Sequence, residues 1–313
     1  MALAKNIPNI LQLFLDNLNV EKGLSENSIS SYLTDMLDCQ TFLSKRKPAR
    51  NLQNANGDDL LTYIKQLQSR GFSAKTQSRR ISALKQFYLF CYSEKLITNN
   101  PAMELKNPKI GKTLPKFLSV DEIDKLLKYA KAQKSRLFYV MLEVLYSSGL
   151  RVSELVGLKL SNIVYDGDFL QVLGKGNKER IIPLTEIAQR ELKDWIKVRV
   201  EHIKLNDKNK LFLFPSSKGS SGHITREGFA QILKSYAVAC NIDYNKISPH
   251  TIRHSFATHI LNNGGDLKAI QNMLGHSDIA TTEIYTHVLE GKLKDAVFNN
   301  HPLSNKNYRN KKS

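Results

Sequence analysis

The chain of 313 residues has only three cysteines, Cys39, Cys91 and Cys240, which lie far apart and form no CxxC pair. An odd and scattered set argues against a disulfide framework or a zinc module, and it fits a reducing compartment. Long apolar runs are missing too, since no stretch approaches the roughly 20 apolar residues of a membrane span. We therefore expect a cytoplasmic protein that does not insert into a membrane.

Acidic residues are scarce relative to basic ones, with 29 against 46 and a formal net charge of +17. The excess is not confined to a tail, because residues up to Asn107 carry +5 and the remainder carries +12. Such a balance fits a polyanionic partner such as nucleic acid. Solvated lysine faces on an ordinary globular protein explain the composition equally well.

The first hundred residues lack the alternating pattern of strands. Apolar residues recur at helical spacing in four segments, near residues 10–18, 29–37, 60–67 and 81–91, which predicts a helical bundle over residues 1–107. Pro108, Gly111 and Pro115 then mark a linker over residues 108–118, because a proline disfavours helix at the residue before it. Ser119 and Glu122 have the spacing of a capping box, so a second domain is expected over residues 119–313.

The second domain is expected to be mixed. Residues 137–146 predict a helix that stops at Ser148-Gly149, and Arg151 opens the next helix. Residues 163–173 and 179–184 predict strands joined by a hairpin tip at 174–177, with Pro183 at a strand end. Residues after about 186 favour helix, and the Lys/Asn-rich tail from 305 is expected to be disordered. The predicted fold class is mainly α with a small antiparallel β-sheet.

Histidines and an arginine cluster in the segment SPHTIRHSFATHIL. His250, Arg253 and His254 are three and four residues apart, so they share a helix face. An arginine there can clamp phosphate oxygens, and an imidazole beside it can move a proton. A zinc site is disfavoured, because the glutamate of HExxH is missing and a cation between the histidines would repel the metal. His254 itself is expected to be a buried histidine with satisfied hydrogen bonds.

Each of four other residues can be interpreted either as a catalytic group or as an ordinary structural residue. Arg151 is either a second phosphate clamp or a surface arginine paired with Glu154. Lys175, between two glycines, either delivers an ammonium as a proton donor or belongs to a common basic turn. His276 either donates to a phosphate oxygen or binds backbone in a turn. Tyr285 is a packing residue or a nucleophile whose phenol needs activation, since its free pKa is about 10.

The order and spacing of five segments are decisive. GLRVSELVGL, GKGNKER, SPHTIRHSFATHIL, MLGHSD and TTEIYTHV follow one another as they do in the tyrosine recombinases of the phage integrase type, which this chain closely resembles over nearly its whole length. Within that family it is most similar to the Xer group of chromosome-dimer-resolution enzymes, with the D branch the better match. The resemblance implies a SAM-like, core-binding helical domain followed by a tyrosine-recombinase catalytic domain. Ala280 departs from the family, where many members have serine.

The resemblance also implies a mechanism. The tyrosine attacks the scissile phosphate and forms a 3′-phosphotyrosyl bond, the lysine protonates the leaving 5′-oxygen, and one histidine assists proton transfer at the tyrosine. The other three side chains stabilise the transition state. No metal, ATP or other cofactor is implied. The implied catalytic residues are Arg151, Lys175, His250, Arg253, His276 and Tyr285.

The implied partners are double-stranded DNA at two recombination sites, a homologous recombinase in a heterotetramer with two copies of each, and a septal DNA translocase. The location is then the nucleoid. The C-terminal helix is expected to dock on a neighbouring protomer through Val297 and Phe298, with packing inside its own chain as the alternative. Basic side chains expected to contact DNA phosphates are Lys75, Arg79, Arg80, Lys85, Lys178 and Arg180.

Three other functions compete with this one. A topoisomerase of type IB shares the same chemistry, and a mobile-element integrase shares the family. A catalytically silent DNA-binding relative is the alternative from a different class. The intact set of six residues argues against the silent relative, and the lack of an extra arm-binding domain favours a simple Xer-type enzyme over a directional phage integrase.

Overall fold

The computed structural model describes residues 8–22, 24, 26–109, 117–133, 135–174, 179–202, 206, 208–216, 221–275, 297 and 299–302. The chain divides into two compact units, Met1–Thr113 and Leu114–Ser313. The described part contains no helix long and apolar enough to cross a membrane.

The described part of unit 1 has four helices, as the periodicity predicted: α1 (Asn9–Val20), α2 (Glu26–Ser44), α3 (Gly57–Ser69) and α4 (Ala74–Ser93). Side chains fix their starts, since Asn56 and Asp59 form a capping box on α3 and Ser73 caps α4. The core is aromatic, with the rings of Phe14 and Phe87 edge to face at 5.3 Å between centroids. Burying these faces holds together helices that would be marginal alone.

A buried ion network joins α2 to α4 in unit 1. Asp35 is 1% exposed and accepts hydrogen bonds from Arg79, while Arg80 is 7% exposed and bonds Asp38 and the Tyr63 hydroxyl. Burial raises the pKa of Asp35, and the neighbouring arginines oppose that rise. Arg80 is thus an internal residue of the bundle.

Unit 2 contains seven α-helices, two short 3-10 helices (Leu160–Asn162 and Tyr165–Gly167) and three strands among its described residues. Its helices are α5 (Val120–Ala132), α6 (Arg136–Ser148), α7 (Val152–Val156), α8 (Glu186–His202), α9 (Arg226–Ala239), α10 (Pro249–Asn262) and α11 (Leu267–Leu274), and its strands are β1 (Ile163–Val164), β2 (Phe169–Leu173) and β3 (Glu179–Pro183). The strands form one antiparallel sheet in the order β1-β2-β3, with Gln171 opposite Ile181. The predicted fold class is confirmed.

Helix α6 is the centre of unit 2, because every residue from Phe138 to Ser148 is buried. Helices α5, α8 and α10 pack around it. It ends as predicted at Gly149, which has a left-handed φ of 60°. The predicted capping box also forms, with Ser119 and Glu122 exchanging hydrogen bonds at the start of α5.

Leu118 and His301, near the two ends of the described part of unit 2, contact α10 and α6 respectively. The Leu118 amide donates to Ser255 Oγ on α10 at 2.8 Å. Val297 is fully buried in the core of its own chain, and His301 Nε2 lies 3.2 Å from the Tyr146 carbonyl oxygen. Val297 thus packs inside its own chain, which was the alternative, and docking on a neighbouring protomer stays a prediction. Phe298 lies outside the described residues.

Candidate active site

The site is built where the ends of two helices meet the start of a third. Helix α6 ends at Gly149, α11 ends at Gly275 with a left-handed φ of 68°, and α7 begins after Arg151. The last carbonyls of a helix lack partners within the helix and carry its negative dipole end. Cationic side chains are therefore stabilised at this junction.

Arg253, on α10, reaches both helix ends. Its Nη1 donates to the Gly149 carbonyl and its Nη2 donates to the Leu274 carbonyl, each at 2.6 Å. The residue is 9% exposed. A methyl group at Gly149 would come within 2.4 Å of Phe256 Cδ1, so only glycine allows this close approach of α6 to α10.

Arg151 converges on the same turn from the other side. Its Nη2 lies 3.5 Å from the Gly275 carbonyl, next to the one that Arg253 uses. Its backbone amide and Nη1 donate to Glu154, at 2.8 and 3.0 Å. Two arginines that are 102 positions apart in sequence thus hold successive carbonyls of one turn. The ion pair with Glu154 that was considered as the ordinary alternative for Arg151 is also present.

Glu154 is the one carboxylate that these side chains share. Besides Arg151, it accepts from Arg180 Nη2 at 2.8 Å and lies 4.0 Å from Arg253 Nη1. Burial would raise the pKa of Glu154, but the hydrogen bonds from Arg180 and Arg151 outweigh burial and hold it below its ordinary value. Within the described residues, one carboxylate therefore faces three guanidiniums, an excess of two positive charges.

The excess charge affects Arg253 most strongly. Burial first, and then the charge of Arg151, lower the pKa of Arg253 to about 10, although Glu154 partly opposes this. The guanidinium still carries its charge at neutral pH, in a place where Glu154 is the one carboxylate near it among the described residues. An anion that binds between these side chains would relieve the repulsion, and arginine binds phosphate oxygens through two parallel hydrogen bonds.

The histidines of α10 differ from the prediction. His250 is exposed at the second position of the helix, one turn before Arg253 as predicted. His254 is half-buried, so the expectation of a buried histidine there is wrong. The buried histidine is His259, whose Nδ1 lies 2.8 Å from the Tyr146 hydroxyl. Helical periodicity places 259 rather than 254 on the face toward α6, alongside Phe256 and Ile252.

Several predicted site residues cannot be compared with the structure, since Lys175, Lys178, His276 and Tyr285 lie outside the described residues. In the part of the chain that is described, no cluster of three or more metal-ligating side chains occurs. Glu154 as the shared centre of the arginines was missed. Its position as the third residue of α7, where it caps the amide of Arg151, was the signal that pointed to it.

The predicted basic face of α4 divides into two groups. Lys75 and Arg79 are exposed and four residues apart, so they share one face. Arg80 and Lys85 do not belong to it, because successive helix positions rotate by about 100°. Arg80 is buried against α2 and Lys85 is half-buried. Arg180 also differs from the prediction that it contacts DNA, since only 11% of its side chain is exposed and its donors face inward.

Comparisons with known proteins agree on a family. The phage integrase family model matches residues 116–292, and the model of the phage integrase N-terminal SAM-like domain matches residues 11–95. The chain is 43% identical over 304 residues to tyrosine recombinase XerD of Rhizobium meliloti (strain 1021), covering 94% of this chain and 95% of that one. It is 42% identical over 301 residues to XerD of Rickettsia bellii (strain RML369-C), covering 93% and 97%.

Solved structures agree in fold. XerH bound to difH in a pre-cleavage complex superposes with a TM-score of 0.64 at 22% identity, covering 91% of this chain and 82% of that one. The Tn1549 transposon integrase, bound to circular intermediate DNA, gives a TM-score of 0.66 at 17% identity, covering 96% and 98%. At these identities the likeness concerns the fold alone.

Proposed function

Because the chain belongs to the phage integrase family of tyrosine recombinases, which cut and rejoin DNA, we propose that it resolves chromosome dimers at a dif-like site. Its similarity to XerD proteins over more than nine tenths of its length supports a Xer-type site-specific recombinase. Resolution of dimers at a chromosomal site is a more specific statement than site-specific recombination, and the experiments below test it.

The observation that supports the proposal most is the convergence of Arg151 and Arg253 on one turn. The two guanidiniums donate to the adjacent carbonyls of Leu274 and Gly275, and we propose that they bind one phosphate group together. During attack on a phosphodiester, charge builds up on the non-bridging oxygens, and fixed cations stabilise it without reorganising. His276 follows Gly275 directly in the chain, so we propose that it adds a donor to the same phosphate.

The proposed reaction uses a tyrosine and no cofactor. The Tyr285 oxygen attacks the scissile phosphorus and forms a 3′-phosphotyrosyl ester, while the bond from phosphorus to the 5′-oxygen breaks. Lys175 gives its proton to that oxygen, because an alkoxide is a poor leaving group. His250 assists removal of the phenol proton. The 5′-hydroxyl of a partner strand then reverses the step, so one phosphodiester replaces another.

We propose that unit 1 contributes phosphate contacts through the exposed side chains of Lys75 and Arg79, and that the half-buried Lys85 adds a contact from another face of α4. Lys178 is proposed to contact DNA from unit 2. Such contacts hold the enzyme on its site without reading sequence, and they make affinity fall steeply with salt. Arg80 and Arg180 are excluded from this role, because their donors are buried in ion networks.

Full exchange requires two DNA sites, and we propose a heterotetramer with a homologous recombinase, two copies of each. Control by a septal DNA translocase follows from the same proposal, because dimer resolution has to coincide with division. This places the enzyme on the nucleoid in the cytoplasm.

A nicked suicide substrate tests the chemistry. Tyr285→Phe is expected to bind the site with near-normal affinity and to form no covalent complex. Tyr244→Phe, which changes an exposed tyrosine, is the matched control and is expected to be trapped normally. If Tyr285→Phe is still trapped, the nucleophile is misassigned.

Paired sites on one plasmid test the biological role. Resolution into two circles at a host-derived site supports recombination, whereas relaxation without resolution indicates a topoisomerase of type IB. Sequencing the host DNA attached in a suicide trap then identifies the site. Attachment away from any single chromosomal site would contradict dimer resolution.

A further inference from the structure

Arg180 has more contacts with the arginine cluster than a DNA-facing side chain would. It lies on β3, opposite Val172 of β2. Its Nε donates to the Met273 carbonyl and its Nη2 donates to Glu154 Oε2, both at 2.8 Å. Its third nitrogen, Nη1, is buried and has no hydrogen-bond partner within the described residues. All three nitrogens therefore face the interior.

The same guanidinium packs against the turn that ends α11. A methyl group built on Gly275 would lie 3.3 Å from Arg180 Nη1 and 3.4 Å from its Cζ. Arg180 therefore contacts both the carbonyl side and the Cα side of the segment from Met273 to Gly275. The flat guanidinium of Arg180 thus packs against this turn and supports it.

Contacts link Arg180 to both arginines of the proposed phosphate clamp. Through Glu154 it meets Arg151, which donates to the other carboxylate oxygen. Arg180 also contacts the turn that holds the other two arginines, since Arg253 donates to the Leu274 carbonyl and Arg151 donates to the Gly275 carbonyl. A shift of Arg180 would change both anchors of the clamp together.

We propose that Arg180 is a positioning residue for strand cleavage: it fixes Glu154 and the end of α11 so that Arg151 and Arg253 are held at the spacing of one phosphate. It does not itself bind DNA. The proposal rests on the proposed phosphate clamp. Because Arg180 lies on the strand that follows the segment containing Lys175, it also ties this hairpin to the clamp through main-chain and side-chain bonds.

The alternative is that Arg180 is an ordinary phosphate ligand, and the salt dependence of binding separates the two. Removing a phosphate contact lowers the slope of log affinity against log salt by about 0.9. For Arg180→Gln we expect an unchanged slope and a cleavage rate lowered roughly 10- to 100-fold, the scale of a small misplacement of reacting groups. Lys75→Gln, which removes a proposed phosphate contact, is the positive control for the slope and is expected to lower it by about 0.9.

The coupling between Arg180 and Glu154 can be measured from cleavage rates in a double variant. A general loss of stability would not reproduce this coupling. If Arg180 acts through Glu154, the double variant Arg180→Gln/Glu154→Gln is expected to cleave about as slowly as the slower single variant. Arg180→Lys keeps the charge but cannot bond both acceptors in the same plane, so we expect it to recover only part of the rate. If Arg180→Gln fails to fold, Arg180→Lys gives the same comparison.

Two results would overturn the proposal. One is a salt slope that falls by about 0.9 in Arg180→Gln or Arg180→Lys, which would make it a phosphate ligand. The other is full recovery of the Arg180→Gln rate on a substrate with a 5′-phosphorothiolate leaving group, which would place its effect on the proton donor. Arg190→Gln, an exposed arginine of the same unit, is the control expected to change nothing. Failure of the proposed function is separate, since trapping of Tyr285→Phe and resolution of paired sites report it.

Discussion

Replacing Gly149 by alanine is expected to destabilise unit 2 by about 2–5 kcal/mol. Two costs combine at this position. The φ of 60° is left-handed, which costs an L-residue roughly 1–2 kcal/mol. The new methyl group would also lie 2.4 Å from Phe256 Cδ1 and 3.0 Å from Leu274 Cδ2, and overpacking of a core costs roughly 1–3 kcal/mol.

The chain contains a convenient probe for this measurement. Its single tryptophan, Trp195, is fully buried in unit 2 and donates to the Leu213 carbonyl at 2.9 Å. Tryptophan fluorescence therefore follows the unfolding of unit 2 without a signal from unit 1. For a unit of this size we expect Gly149→Ala to lower the Tm by about 5–20 °C.

Gly264→Ala is the matched control. Gly264 has a φ of 88°, yet a methyl group there would meet no atom within 4 Å. It should lose only the conformational part, roughly 1–2 kcal/mol. The smaller side chain of Phe256→Leu should recover part of the loss in Gly149→Ala and none in Gly264→Ala. Equal losses in the two alanine variants would refute the argument that the contact with Phe256 limits this position.

Three further outcomes are expected. Arg80→Met should destabilise unit 1 by roughly 1–3 kcal/mol, because it removes the buried cation that donates to Asp38 and to the Tyr63 hydroxyl and lies 3.5 Å from Asp35; Lys65→Met, at an exposed position of α3, should change stability by less than about 0.5 kcal/mol, as followed by circular dichroism. Burial lowers the pKa of His259, against a weaker opposing effect of its hydrogen bond to the Leu118 backbone. Neutral His259 thus stabilises the fold above about pH 6.5, stability falls as pH drops through the lowered pKa, and His259→Gln should flatten this dependence in Trp195 fluorescence; an unchanged slope would contradict it. Lys175→Ala should slow cleavage of ordinary DNA and regain its rate on a 5′-phosphorothiolate substrate, since a thiolate leaves without an acid; no recovery would remove Lys175 from the acid role.

Much of the fold was predictable because local signals specify it. Helical periodicity located α1–α4, and a glycine after Ser148 marked the end of α6. The motif order identified the family and its Xer branch, which the comparisons confirm. Such features depend on neighbouring residues along the chain, so one sequence is enough to find them.

Burial of charged side chains was not predictable in the same way. Arg80 differs from Arg79 by one position, and both bond to α2, yet Arg80 is buried and the side chain of Arg79 is half-exposed. The difference depends on Asp35 and Asp38, more than 40 residues away. Arg180 resembled a DNA-binding side chain because a basic hairpin suggests one. Its partners, Glu154 and the Met273 carbonyl, come from distant segments that only the tertiary fold brings together.

The acceptors that hold the three arginines have a consequence for sequence change. Four of them are main-chain carbonyls, at Gly149, Met273, Leu274 and Gly275, and these are present whatever side chain the position carries. Residues 273 and 274 can therefore vary among apolar types without removing an anchor. Tolerance should be low instead at the two left-handed glycines, where a side chain would move the carbonyls themselves. A mutational scan across the site should accordingly find its sharpest intolerance at residues that carry no functional group.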